Sequence, residues 1–211
     1  MTGFHEEVLP IEQRRVLNVI GDWCRQRDFY LGGGTSVAIQ LGHRRSLDLD
    51  WFSPAERFDS DALAQELRMD GIPIDVREVG RGALHGLIDG VRVSFIRYRY
   101  PLLGDFIEWP EYRCRMACLD DLACMKLAAA AQRGDKKDFF DVVAICSGPV
   151  PFDRALELYL KKFAVKSIGH VLMSLCYFDD AQAQESPELL SEMSWDEVQK
   201  TLRTWVREKA G

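Results

Sequence analysis

The amino-acid sequence predicts an α+β fold, in which a small mixed β-sheet flanked by helices is followed by a C-terminal lobe made only of helices. Through the first half of the chain, apolar residues at helical spacing alternate with short strand-like runs, whereas from Asp120 onward only helical patterns occur. Alternating elements of this kind fold as helices packed on a sheet. We therefore expect a sheet-bearing core over residues 1–115 and a helical lobe over residues 116–211.

The elements of the first half follow from the hydrophobic period and from turn residues. Thr35 is a candidate N-cap and Gly42 a candidate C-cap of one short helix, and Asp89-Gly90 is typical of a two-residue hairpin turn. In order, the predicted elements are helix 9–28, strand 29–31, helix 35–41, strand 47–52, helix 60–69, strand 72–79 and a hairpin of strands 84–88 and 91–98.

The second half reads as a series of helices separated by glycine, proline and serine. Gly134 ends an alanine-rich helix, Ser194 is a candidate cap for the last one, and the polar stretch 181–194 is predicted to be a flexible loop. The predicted helices cover 122–133, 136–146, 152–163, 167–178 and 195–209.

Composition and sequence pattern argue against a strongly basic protein, a membrane protein and a disulfide-rich protein. The chain has 211 residues, 47% of them hydrophobic, and a net charge of -6, which argues against a protein coated with phosphate-binding charge. Because neither a signal peptide nor an apolar run long enough to span a membrane is visible, we expect a cytoplasmic protein without membrane association. The six cysteines lack CxxC spacing and are expected to be buried free thiols.

Two aspartates lie on one face of the strand predicted over 47–52. Asp48 and Asp50 are two residues apart, so their side chains point to the same side of the strand. Carboxylates held this close repel unless a cation lies between them, and hard divalent ions with oxygen ligands suit such a pair. The pattern predicts a magnesium site, which manganese could also occupy. A solvated acidic face is the alternative.

A glycine run precedes this strand. Gly32, Gly33, Gly34 and Thr35 stand between a short strand and a short helix, where backbone N–H groups and a hydroxyl can approach a phosphate. A glycine triplet alone is more often a simple turn. Followed by the acidic strand, however, it predicts a site that holds a triphosphate and its metal, and nucleotidyl transfer depends mainly on such positioning and charge stabilisation.

The pattern resembles the AbiEii/AbiGii nucleotidyltransferase family of the polymerase-beta-like superfamily. The superfamily motif of two small residues, a spacer and Asp-x-Asp falls within FYLGGGTSVAIQLGHRRSLDLDWF, on Gly33, Gly34, Asp48 and Asp50. A second similar segment, LDDLACMKLAAAAQRGDKKDFFDVVAI, carries Lys126, Lys137 and Asp138. The likeness covers nearly the whole chain and implies a polymerase-beta-like nucleotidyltransferase core whose active site is completed by the helical lobe.

The resemblance also implies roles for individual residues. Asp48 and Asp50 would bind metal, Lys126 would contact the triphosphate, and Asp138 would act as a base or complete the site. Without the resemblance, Lys126 would read as a solvated lysine, and Asp138 as a charge that stabilises a helix dipole. The implied catalytic residues are Asp48, Asp50, Lys126 and Asp138, and the predicted phosphate-binding residues are Gly33, Gly34, Thr35, Arg44 and Ser46.

Two features of the candidate site allow more than one interpretation. Members of the superfamily usually carry a third carboxylate on a later strand, but this sequence has Ser94 at the corresponding position. Either Asp138 or Asp141 substitutes for it, or activity is weak or lost. The run from His43 to Arg45 either stabilises transferred charge or is an exposed loop, with Ser46 merely ordering Asp48.

Arginines interleaved with aromatic residues are compatible with an RNA acceptor. A hairpin with one solvated face and one core face explains the same pattern. The residues concerned are Arg92, Arg97, Arg99, Arg113 and Arg115 with Phe95, Tyr98 and Tyr100, and a second basic group is Lys161, Lys162 and Lys166.

The resemblance implies an NTP-dependent and magnesium-dependent nucleotidyltransferase that acts on RNA, including transfer RNA. It also implies the toxin of a toxin–antitoxin pair, with a cognate antitoxin protein as partner. The alternatives are a protein or small-molecule acceptor, and a non-catalytic nucleotide-binding module that keeps the fold.

Overall fold

The computed structural model describes residues 3–54 and 59–210, and a mixed seven-stranded sheet lies at its centre. The strands are β1 Tyr30–Leu31, β2 Asp48–Pro54, β3 Asp75–Gly80, β4 Ala83–Ile88, β5 Val91–Tyr98, β6 Ile107–Trp109 and β7 Cys114–Met116. Their spatial order is β3-β4-β5-β2-β1-β7-β6. The pairs β2–β5 and β1–β7 are parallel, and the other neighbours are antiparallel. The predicted mixed sheet is confirmed.

Helices cover both faces of this sheet. They are α1 Ile11–Gln26, α2 Gly33–Leu41, α3 Ser60–Met69, α4 Leu119–Arg133, α5 Lys136–Cys146, α6 Phe152–Phe163, α7 Gly169–Ser174, α8 Asp179–Gln182 and α9 Trp195–Ala210. The predicted bounds of α3, α5 and α6 agree with the structure to the residue. Among the described residues, none of the helices combines the length and apolar character that crossing a membrane requires.

The hairpin of β4 and β5 is confirmed together with its turn. Asp89 and Gly90 both adopt positive φ angles, 48° and 77°, as the two central residues of a type I′ turn require. Predicted strand 72–79 begins later, at Asp75, because Pro73 has no N–H to donate to a sheet ladder. Strands β6 and β7, of three residues each, were too short to show a hydrophobic period.

Alternation along β2 divides its side chains between two hydrophobic clusters. Leu49 and Trp51 are buried in the cluster that contains α1 and α3 residues, whereas Phe52 belongs to the cluster formed with the helical lobe. Asp48 and Asp50, which alternate with Leu49 and Trp51, therefore face the helical lobe. Strand β7 runs across the boundary predicted near residue 115, and the division into two domains stays a prediction.

The segment predicted as a flexible loop, 181–194, is held by backbone contacts. The N–H of Arg45 donates to the carbonyl of Glu188 at 2.9 Å, and the N–H of Leu190 donates to the carbonyl of His43 at 2.9 Å. These bonds attach the lobe to the 43–45 loop beside Asp48. The capping prediction for Ser194 is confirmed, because its hydroxyl accepts from the N–H of Glu197 while the Glu197 carboxylate accepts from the N–H of Ser194.

Candidate active site

The paired aspartates line a cavity between the sheet and the helical lobe. In the parallel β2–β5 pair, Asp48 lies opposite Arg92 and Asp50 opposite Ser94. The cavity has a volume of about 490 Å³, and Gly34 at the start of α2 contributes to its wall. We call it the cationic cavity, because its charged lining residues are Arg44, Arg77, Arg92, Lys126, Arg133 and Lys137 together with Asp48 and Asp50.

Salt bridges partly occupy the Asp48 carboxylate. Its Oδ1 accepts from Nε of Arg92 at 2.5 Å, and its Oδ2 lies 3.7 Å from Nζ of Lys137. Both partners are largely exposed side chains that can move away from the carboxylate. The Asp48 oxygens therefore remain accessible to a ligand in the cavity.

Asp50 lies deeper in the site than Asp48. Burial, together with the negative charge of Asp48, raises the pKa of the Asp50 carboxyl above its ordinary value. Lys126 and a hydrogen bond from the Ser94 hydroxyl act in the opposite direction. Two neighbouring carboxylates, one of which has a raised pKa, form the kind of site that a bound cation stabilises.

The two glycines at the start of α2 are required by close packing. Gly33 has a φ of 62°, and a Cβ at this position would overlap the Asp50 carboxylate. At Gly34 a Cβ would overlap the guanidinium of Arg44, which is buried. Because neither glycine has a side chain, Asp50 and Arg44 can approach the N-terminus of α2 closely. Any other residue type at these positions would prevent this approach.

We predict that Gly34→Ala destabilises the protein by about 1–3 kcal/mol, because the buried Arg44 cannot withdraw from the added methyl group. Equilibrium unfolding in urea measures the change. Gly169→Ala is the matched control, because a Cβ there meets only the Ser167 hydroxyl at an ordinary 3.5 Å. Equal stability of both variants would contradict the packing argument.

Thr35 orders the start of β2 and does not cap α2. The structure begins α2 at Gly33 with Gly32 as its N-cap, so the N-cap prediction for Thr35 is wrong. The Thr35 hydroxyl is buried, donates to the backbone carbonyl of Asp48 and lies 2.7 Å from the hydroxyl of Ser46. This bond links the glycine run to the strand that carries Asp48. Ser46 lines the cationic cavity and Thr35 does not.

Five charged residues, four buried and Arg133 exposed, form what we call the buried charge network, and its three cations line the cationic cavity. Asp141 is fully buried and accepts from Nε and Nη2 of Arg44 at 2.6 and 2.8 Å, and its Oδ2 lies 2.6 Å from Nζ of Lys126. Asp138, also fully buried, accepts from Lys126 at 2.8 Å and from two nitrogens of Arg133 at 2.7 and 3.0 Å. The members of the buried charge network are Arg44, Lys126, Arg133, Asp138 and Asp141.

The pKa shifts of this network keep every member ionised. Burial alone would raise the pKa of Asp141, but Lys126 and Arg44 hold it well below its ordinary value. Lys126 and Arg133 likewise lower the pKa of Asp138 against the effect of burial. The pKa of Lys126 is raised, since Asp141 and Asp138 outweigh its desolvation. The network thus presents fixed positive charge to the cavity.

The loop 43–45 is not the exposed loop that one of the two sequence interpretations described. His43 and Arg44 are buried, and His43 Nε2 lies 2.8 Å from Asp141 Oδ1. The side chain of Arg45 is partly exposed and pairs with Glu188. Asp141, which lies 97 residues downstream of Arg44, is what draws the loop inward. No pattern within the loop itself indicates this partner.

The structure places Ser94 beside Asp50, where the resemblance would have a third carboxylate. Its hydroxyl lies 3.0 Å from Nδ1 of His85, the residue opposite it on β4. Asp138 and Asp141, the two suggested substitutes, are both fully buried in ion pairs, and neither lines the cationic cavity. The geometry therefore assigns them to holding Lys126, Arg44 and Arg133 in place.

A second cavity, of about 390 Å³, adjoins the first at Asp50 and Ser94. We call it the aromatic cavity, because its walls include Phe52, Tyr98, Tyr100 and Phe163. The rings of Tyr100 and Phe163 are 4.5 Å apart, centroid to centroid, in an edge-to-face arrangement. Gly33, Lys126, Arg133 and His85 also border this cavity. The pair of cavities thus joins a charged compartment to a compartment with flat apolar walls.

The basic and aromatic residues that the sequence suggested as an RNA-binding group lie in different environments. Arg92 faces the cationic cavity, whereas Phe95 is buried in the core and Arg115 stacks over Phe106 at 4.1 Å. Lys162 is fully buried and pairs with Asp121 at 2.5 Å, so its assignment to a basic surface is wrong. Only tertiary contacts decide which of these cations face a common ligand.

Three ionisable residues that line the cavities were missed as site residues from the sequence. Arg77 comes from β3, His85 from β4 and Arg133 from the end of α4. Strands β3 and β4, which carry Arg77 and His85, are not adjacent to β2 in the sheet. The register of their pairing fixes which side chains face the site. Arg133 could have been found from its helical spacing of seven residues, two turns, after Lys126.

Comparison with known proteins agrees with this geometry. Residues 86–204 match the model of the family described as nucleotidyl transferase AbiEii toxin, Type IV toxin–antitoxin system. The match includes Lys126 and Asp138 and begins after Asp50. A protein of Aquifex aeolicus (strain VF5), described as uncharacterized protein aq_aa25, is 35% identical over 204 residues, which are 95% of this chain and 97% of that one.

Solved structures share the fold at low sequence identity. The nucleotidyltransferase toxin MenT4 of Mycobacterium tuberculosis H37Rv has a TM-score of 0.52 at 18% identity, over 92% of this chain and 83% of that one. The antibiotic-resistance factor ANT(2″)-Ia has a TM-score of 0.54 at 15% identity, over 73% of this chain and 94% of that one. The family match covers more than half of the chain, and both structures are similar to it in fold. The chain is therefore a nucleotidyltransferase and belongs to the AbiEii nucleotidyltransferase toxin family.

Proposed function

We propose that the chain transfers a nucleotide from a magnesium-bound NTP to RNA, with transfer RNA as the first acceptor to test. The cationic cavity is the observation that supports the first half of this proposal, the binding of the NTP donor. Six cationic side chains converge there on two carboxylates, in a chain whose net charge is -6. A triphosphate with its metal has the complementary charge.

The donor set fits magnesium, or manganese in its place, bound together with a substrate. Asp48 and Asp50 offer oxygen ligands on one face of β2, and the charge of Asp48 helps to raise the pKa of Asp50, a repulsion that a divalent ion between them would offset. In the part of the chain that the structure describes, no cluster of three or more metal-ligating side chains occurs. Magnesium is commonly held by one or two carboxylates, with phosphate oxygens and waters completing its shell.

The residues around the metal pair would position the donor. The ammonium of Lys126 has three donors, and Asp138 and Asp141 accept from it, which leaves one for a phosphate oxygen in the cavity. Gly34 and Ser46 line the same wall. A bound divalent ion would neutralise charge on the phosphates during transfer. Arg44 and Arg133, held by carboxylates, would supply fixed positive charge without reorganising.

The aromatic cavity supports an RNA acceptor. Flat aromatic walls suit a stacked base, and single-stranded RNA ends are recognised largely in this way. The hydroxyl of Tyr98 is buried without a hydrogen-bond partner among the described residues, and a base edge could supply one. The Type IV toxin–antitoxin description of the family supports a cognate antitoxin as a further partner.

Labelling experiments test the proposal. Each of the four NTPs, labelled at the α-phosphate, is incubated with the protein, magnesium and total RNA, and we expect label in RNA. Asp48→Ala should abolish labelling because it removes one of two metal ligands, and chelation of magnesium should have the same effect. Asp120→Ala, an exposed carboxylate on α4, is the matched control and should label RNA as the wild type does.

Other outcomes of the same experiment identify the alternatives. Label in protein or in an added small molecule, but not in RNA, would replace the proposed acceptor. Magnesium-dependent NTP binding measured by calorimetry, without transfer to any acceptor, would identify a non-catalytic binding module. The ionised buried network around Lys126 favours the active enzyme, because a chain that only binds nucleotide does not need charges positioned for transfer.

A further inference from the structure

Asp50, Ser94 and His85 lie side by side on the three adjacent strands β2, β5 and β4. Asp50 pairs in register with Ser94, and Ser94 pairs with His85. Hydrogen bonding from the Ser94 side chain acts to lower the pKa of the Asp50 carboxyl, and the Ser94 oxygen lies 3.0 Å from Nδ1 of His85. The row ends where the cationic and aromatic cavities meet, and His85 lines both of them.

The direction of these hydrogen bonds determines which nitrogen of His85 carries the proton. Carboxylate oxygens are acceptors, and Asp50 lies opposite Ser94 in the β2–β5 register, so we take the single O–H of Ser94 to be directed at Asp50. The Ser94 oxygen must then accept from Nδ1–H of His85. A neutral imidazole with its proton on Nδ1 has its lone pair on Nε2. In the part of the chain that the structure describes, Nε2 has no hydrogen-bond partner.

We infer that His85 is the catalytic base that activates the acceptor hydroxyl, with Ser94 as the residue that positions it. The inference rests on the proposed nucleotidyl transfer. Asp138 and Asp141 are unsuited to the task because both are fully buried in ion pairs with cations. His85 is only half-buried and borders the cavity in which an acceptor base would stack.

In the proposed step one proton moves, one phosphorus–oxygen bond forms and another breaks. The proton of the acceptor hydroxyl passes to Nε2 of His85, and the acceptor oxygen forms a bond to the α-phosphorus of the NTP. The bond from the α-phosphorus to the oxygen bridging to the β-phosphorus breaks, and pyrophosphate leaves. The Nδ1–H bond to Ser94 persists throughout and holds the ring in one orientation.

The test compares His85→Gln and His85→Ala with wild type in the labelled-NTP assay, alongside NTP binding with magnesium by calorimetry. We expect both variants to keep the wild-type Kd for NTP and to lose transfer by about 10²- to 10⁴-fold, the usual contribution of a positioned base. Added imidazole should restore part of the rate of His85→Ala, since the vacated space opens into both cavities. His170→Gln, an exposed histidine on α7, should match wild type.

Each other result counts against the inference. Wild-type transfer by His85→Gln would overturn it, as would loss of NTP binding in parallel with transfer. Failure of imidazole to raise the rate of His85→Ala would assign His85 a structural role only. A wild-type chain that binds NTP but labels no acceptor would overturn the proposed function itself. That result differs from failure of the inference alone, in which wild type and His85 variants transfer equally.

Discussion

Replacement of Asp50 by asparagine is expected to reduce nucleotide transfer by more than about 100-fold. Mutation of a residue that merely supports a metal ligand already reduces activity by up to about 100-fold, and Asp50 is proposed to bind the metal itself. Asp50 contributes a carboxylate that faces Asp48 in the cationic cavity, and an amide oxygen carries no charge to attract a divalent ion. The measurement is the initial rate of labelling from α-labelled NTP. Asp120→Asn is the control, because this exposed carboxylate lies outside both cavities.

The same substitution should not destabilise the metal-free protein. The pKa of Asp50 is raised by burial and by Asp48, so its ionised form disfavours folding above that raised pKa. The neutral amide of Asp50→Asn would remove this cost. We therefore expect the metal-free variant to melt at or above the wild-type temperature. We also expect magnesium to raise the melting temperature of the wild type but not that of the variant. A variant that still transfers nucleotide at the wild-type rate would contradict the metal assignment.

Asp141→Asn should have the opposite effect on stability and is expected to destabilise the protein by about 3–5 kcal/mol, the range for breaking a buried ion pair. The amide would leave Lys126 and Arg44 buried beside a neutral group. Urea unfolding at neutral pH measures the loss. Asp120→Asn again serves as control, because its 3.8 Å contact with the exposed Arg154 should contribute no more than about 1 kcal/mol.

The contribution of Asp141 also has a defined dependence on pH. Its folded-state pKa lies well below the ordinary value of 3.8, so the stabilisation is complete above that value and is lost as pH falls through the lowered pKa. Acid unfolding of Asp141→Asn should therefore be less steep than that of wild type. Equal stability of variant and wild type at neutral pH would show that the buried charge network is not required for folding.

Much of the site was predictable because it is local in the chain. Asp48 and Asp50 alternate on one strand, and two glycines open the helix before them, so spacing alone placed these residues together. The bounds of α3, α5 and α6 were equally accessible, because helix-bounding residues stand next to them, such as Asp59 before α3, Ser147 after α5 and Pro151 before α6. The prediction for Thr35 failed, since its hydroxyl bonds to the next strand and does not cap its own helix.

The aspartates and glycines proposed for the donor half can be read from their spacing in the amino-acid sequence, whereas Lys126 was assigned to that half only through the family resemblance. The surroundings of these residues depend instead on tertiary contacts. Strand register placed Ser94 and His85 next to Asp50, and long-range ion pairs drew Arg44 and Lys126 to Asp141. Local spacing follows from the geometry of one strand or helix, whereas register and buried charge pairing depend on segments far apart in the chain.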